Sequence, residues 1–97
     1  MCKRKIFAAV ASAVSEVTEI PETDILSKCR REEVVDARFI LVYLCIRQGL
    51  YPSQIAECLG QTQHNVHKMM RSADRKLRKS QLRSFTDITA DKLGLTL

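Results

Sequence analysis

The sequence predicts an all-α fold, a compact bundle of about six helices containing a helix-turn-helix over residues 53–79. Three observations carry this. Apolar residues recur at three- and four-residue steps from one end of the chain to the other, while the two-residue alternation of a half-buried strand is nearly absent. The glycines and prolines fall between the periodic stretches rather than inside them, as breakers at helix ends should. Finally, 97 residues are enough for one small domain, expected over 1–97, that buries a core but has little volume for a deep cleft.

The first helix is expected over about Lys3 to Val17. Ile6, Val10, Ala13, Val14 and Val17 share a side, and Ser12, Ser15, Glu16 and Glu19 mark the polar one. The opening MCKRKIFAAVASAVS also has the basic start and small residues of an export signal, but its helical periodicity favours a structural helix. Pro21 ends the helix and opens a short turn, Glu22 to Leu26, after which Ser27 to Arg31 reads as a basic loop.

A third helix, roughly Glu32 to Gln48, is apolar nearly all round over FILVYLCI and should form the axis of the core. Gly49 caps it. Pro52 and Ser53 open a fourth helix with Ile55, Ala56 and Leu59 on one side, and Gly60 stops it after about two turns. Thr62 is a candidate N-cap for the fifth helix, whose inward face is read as Val66, Met69 or Met70, Ala73 and Leu77. A last helix is expected from Thr86 as cap, through Ile88 and Leu93, to Gly94.

Charge is distributed unevenly. The net charge is +5, yet Gln61 to Arg83 alone carries +6 and leaves the remainder at −1. A basic stripe confined to one helix is the electrostatic footprint of a polyphosphate partner. Cys2, Cys29, Cys45 and Cys58 are scattered without a CxxC pair and read as reduced packing residues, which favours a cytoplasmic setting. The longest apolar run, Phe39 to Ile46, is flanked by Arg38 and Arg47 and is far shorter than the roughly 18 residues of a membrane span, so a soluble chain is expected.

In a helix-turn-helix the first short helix braces the second, whose N-terminal side chains enter the major groove while neighbouring cations grip phosphates. Gln61, Thr62, Gln63, His64, Asn65, His67 and Lys68 crowd the start of the fifth helix. Gln and Asn can pair bidentately with adenine, Lys can donate to guanine, and Thr offers a methyl as well as a hydroxyl. Arg71, Arg75, Arg78 and Lys79 follow as candidate backbone contacts. Double-stranded DNA is therefore the expected partner.

The runs IPETDILSKCRREEVVDAR and SQIAECLGQTQHNV, separated by a long apolar helix, resemble the C-terminal DNA-binding domain of the bacterial replication initiator DnaA, a TrpR-like helix-turn-helix. The matching features are Ile20, the turn Asp24-Ile25-Leu26-Ser27-Lys28, Arg30 and Arg38 around the basic loop, then Ile55, Gly60, Val66 and Arg71. The similarity covers nearly the whole chain, from about Ala8 to Leu82. The resemblance implies that Lys28, Arg30 and Arg31 serve the minor groove, and that Thr62, Gln63, His64 and Asn65 read the major groove. Where the family reads close to GGRDHTTV this chain has GQTQHNV, one residue shorter, and placing Val66 on the family valine keeps Arg71 in phase. Glu32, Glu33 and Asp36 stand where the family is neutral or basic, which should weaken phosphate contact on that side. The implied role is sequence-specific DNA binding in replication or transcription. No GxxxxGK phosphate loop is present to drive ATP-dependent origin opening.

Rival classes have less to attach to. His64, His67 and Cys58 are close in sequence, but a fourth zinc ligand is not evident, and neither metal nor cofactor is expected. Catalysis is not expected either, because no Gly-framed nucleophile is present and the carboxylates are spread along the chain. The alternative is a protein-interaction module whose basic helix docks an acidic partner. It would require the Val66, Met69, Met70, Ala73, Leu77 face to be open, whereas burial of that face is expected. Oligomeric state is left open, since helix-turn-helix proteins act as monomers and as dimers.

Overall fold

The computed structural model describes residues 3–77 and 80–94; within the helices, the side chains of residues 73, 74, 76, 77 and 80–82 also lie outside the described set. Six helices follow in order: α1 Lys3–Thr18, α2 Glu22–Ile25, α3 Glu32–Arg47, α4 Pro52–Leu59, α5 Gln63–Leu77 and α6 Ser80–Leu93. No strand occurs among the described residues.

Helix α3 is the axis, as its apolar run predicts, and it touches every other helix. Val34, Ile40, Leu41, Leu44 and Cys45 are fully buried on it, on more than one face. Helix starts and stops follow local chemistry. Glu32 and Glu33 occupy the first turn of α3, where carboxylates complement the helix dipole, so these acids have a structural reason to be there. Burial of the Cys45 thiol pushes its pKa up to about 12, so it behaves as a small apolar side chain and not as a nucleophile.

Helix α1 lies across α3 and α6 with Phe7, Val10, Ala11 and Val14 inward. It stops at Glu19, which takes the left-handed conformation at φ 60°, two residues before Pro21. Helix α4 buries the three residues expected, Ile55, Ala56 and Leu59. It is closed by Gly60 in the left-handed region at φ 67°, ψ 32°. There the Gln61 N–H donates to the Ala56 carbonyl at 3.0 Å, the six-to-one bond of a Schellman turn.

One expectation is corrected. Thr86 is not the cap of the last helix, because α6 begins six residues earlier at Ser80 and carries Thr86 inside it, 3 % exposed. The inward face of α6 is Phe85, Thr86, Thr89, Ala90 and Leu93, whereas Ile88 remains 46 % exposed. The Thr89 hydroxyl satisfies itself on the Phe85 carbonyl at 2.7 Å, which is how a threonine can face an apolar core from mid-helix.

Candidate nucleic-acid interface

The turn between α4 and α5 is three residues long, Gly60-Gln61-Thr62, and local bonds fix its exit. The Thr62 hydroxyl accepts the Asn65 N–H at 3.1 Å, so Thr62 is the N-cap that its position predicts. Thr62→Ala is expected to destabilise the fold by about 1 kcal/mol, measurable as a lowering of the thermal midpoint by about 5 °C. Val66, one turn into α5, is fully buried and joins Ile55 and Leu59 in the core, locking α5 against α4.

With Val66 inward, the amphipathic periodicity of α5 turns the predicted readers out. Thr62, Gln63, His64 and Asn65 are exposed, as are His67, Lys68, Arg71 and Arg75, and Gln61 is half-buried at the turn. His64, Lys68, Arg71 and Arg75 follow one another at steps of four, three and four, and so form one line along the outer face. Arg78 and Lys79 lie outside the described residues. Met69 and Met70 are half-buried against the core, so this part of the apolar face is already occupied from within. Ala73 and Leu77, assigned to the same face, belong to α5, but their side chains lie outside the described set.

Among the described residues, two open concavities lie beside α5. One, of about 300 Å³, separates it from α3 and is lined by Phe39, Gln61, Asn65, Lys68, Met69 and Ser72 among others. The other, of about 610 Å³, is lined by His64, His67, Met70 and Arg71. Among the described residues no three His, Cys, Asp or Glu side chains converge as a metal site would need. Also among them, no helix is long and apolar enough to cross a membrane.

The basic loop is held by Arg38, which the resemblance places around the loop without giving it this task. Arg38, on α3, is only 6 % exposed, and its guanidinium fork reaches back into the loop. Its Nε donates to the Ile25 carbonyl at 2.9 Å, and its Nη2 donates to the carbonyls of Ser27 at 2.6 Å and Cys29 at 3.2 Å. Burial pulls its pKa below the ordinary guanidinium value, but guanidinium starts so high that the charge is retained. The signal was a lone cation in the apolar stretch VVDARFILVYLCI, which must either find carbonyls or break the helix's packing.

Within the loop, Ser27 donates to the Asp24 carbonyl at 2.6 Å and accepts the Cys29 N–H at 3.1 Å. Lys28 and Arg30 are exposed. Arg31 is exposed too, but it is drawn back onto acids of its own chain, 3.2 Å from Asp24 and 3.8 Å from Glu33. The Cys29 thiol is held below the usual thiol range by hydrogen bonds from the Arg31 backbone and side chain. Lys28, Arg30 and Arg31 thus sit on a loop pinned to α3, and α5 packs on α3 as well.

These features agree with what comparison with known families finds. Residues 7–67, more than half of the chain, match the bacterial DnaA protein helix-turn-helix, a span that contains the basic loop and the start of α5. A search for similar curated proteins gives no match. With the loop, the α4–α5 turn and the capped first turn of α5 inside the matched span, the chain belongs to the bacterial DnaA helix-turn-helix family, a family of DNA-binding domains.

Proposed function

We propose that the chain reads a specific sequence in double-stranded DNA and acts as a replication- or transcription-related regulator. The observation that carries this is the outward face of α5, where Thr62, Gln63, His64 and Asn65 stand exposed at a capped helix start and a line of cations continues along the same face. Amide and hydroxyl groups at that position can discriminate base edges. The cations supply sequence-independent attraction to phosphates. In this reading Gln63, His64, Asn65 and Lys68 meet bases, and Gln61 and His67 sit at the groove edge. Arg71, Arg75 and Arg78 meet the backbone, and Lys28, Arg30 and Arg31 approach the minor groove.

The test is selection of bound sequences from a random duplex library, followed by affinity for the enriched site across a salt series. An enriched motif with a steep salt slope supports the reading; no motif and no binding at low salt would sink it. Gln63→Ala is expected to relax preference at one base position by about 1 to 3 kcal/mol. Arg75→Ala should weaken binding on all sequences alike and reduce the salt slope by about 1. An unchanged binding-site profile for Gln63→Ala would remove that residue from the major groove.

A further inference from the structure

We infer that the first turn of α1, through Lys3 and Arg4 laid against α4, is an additional docking surface for the sugar-phosphate backbone of DNA, separate from both the α5 stripe and the basic loop. The inference rests on the DNA reading above and extends its footprint to a third element.

Lys3, Arg4 and Lys5 are consecutive, exposed and placed in the first turn of α1, which contains no acid. Cations there oppose the positive end of the helix dipole. The helix dipole therefore does not explain their position. The part of the chain outside Gln61 to Arg83 has a net charge of −1, and within it the cations gather in this block and in the basic loop at Lys28, Arg30 and Arg31. The acid at the far end of α1, Glu16, lies about 20 Å along the helix and is engaged by Lys92 at 2.8 Å.

Packing directs two of the three cations to one place. Lys3 sets its ammonium 4.9 Å from the centroid of the Tyr51 ring, and Arg4 sets its Nη2 3.2 Å from Glu57 Oε1. Tyr51 immediately precedes α4 and Glu57 lies within it, so the start of α1 runs beside the first helix of the helix-turn-helix. Tyr51 stays 65 % exposed, an aromatic ring left open at the entrance to α4 with a cation over it. In a helix-turn-helix the first helix crosses the DNA backbone while the second enters the groove. A cation held at the start of that first helix is therefore placed at the phosphate strand bordering the groove. Lys5 is about 200° around the helix from Lys3 and points away from α4, which makes it an internal control.

The experiment compares the full chain with Lys3→Ala/Arg4→Ala, Lys5→Ala and Glu57→Gln, titrated against the enriched duplex and an unrelated duplex over a range of salt. The double variant is expected to bind both duplexes roughly tenfold more weakly at low salt, with a salt slope shallower by nearly 2, because two phosphate contacts are lost. Its thermal midpoint should stay within a few degrees of the parent's, since the relieved dipole penalty and the lost exposed contacts with Tyr51 and Glu57 are both small and opposite in sign. Lys5→Ala should stay within about twofold of the parent, and Glu57→Gln, which releases Arg4 from its acid, should bind more tightly. A double variant with the parent's salt slope, or a Lys5→Ala loss as large as the double variant's, would overturn the inference while leaving the DNA reading intact. Failure of the parent chain to bind any duplex would overturn both.

Discussion

Arg38→Ala is expected to destabilise the fold by roughly 3 kcal/mol, the scale for removing a buried charged side chain that satisfies one buried and two half-buried carbonyls. For a chain of this length that is a fall in thermal midpoint of about 12 to 24 °C. The carbonyls of Ile25, Ser27 and Cys29 would each lose their guanidinium partner, and the basic loop would lose the tie that fixes it to α3. Arg38→Lys should recover little, since one ammonium cannot reproduce a planar fork donating from two of its nitrogens. Duplex affinity, measured well below the melting transition, should fall with the loop's order even though Arg38 itself is buried. A midpoint lowered by only a few degrees would show that the loop holds its shape without this strut.

Ile55→Ala should have an effect of similar size, about 2 to 5 kcal/mol, by leaving a cavity where α4 meets its neighbours. Helix α4 has only eight residues, and the side chains it buries are Ile55, Ala56 and Leu59, so removing most of Ile55 leaves little to hold it. Val66 of α5 belongs to the same core cluster, so the brace on α5 loosens along with the fold. Urea unfolding should show a lower midpoint at an unchanged slope, and DNA affinity should drop even under conditions where the variant is folded. Ile88→Ala, at a residue 46 % exposed on α6, is the matched control and should change stability by less than about 0.5 kcal/mol. Equal losses at Ile55 and Ile88 would contradict the packing described.

What the sequence discloses and what it conceals divide along the range of the interactions. The apolar run of α3, the glycine at position 60, the cap at Thr62 and the inward Val66 are all set by neighbours within a turn or two, and each is where its local pattern places it. Thr86 misleads for the same reason. A threonine after a basic stretch has the local chemistry of a cap, and only the packing of α6 on α1 and α3 shows that it is interior. The strut at Arg38 depends on carbonyls 9 to 13 residues earlier, and backbone acceptors leave no mark in a sequence. The contact of Arg4 with Glu57 spans 53 residues and follows from no periodicity. The candidate reader residues were legible as a set because α5 has a strong polar face; the restraint of Arg31 by Asp24 and Glu33 was not, since it depends on the loop's path.

Two elements proposed to meet DNA are both attached to α3, and this bears on the duplex they would accept. The loop hangs from α3 through Arg38, and α5 packs on the same helix, so the interval between them is a fixed gauge. A duplex that presents its grooves at another spacing has to bend or narrow until it fits, and stiff steps resist this more than pliable ones. On the proposed interface, base pairs that no side chain touches still contribute to the choice of site, through the work needed to deform them.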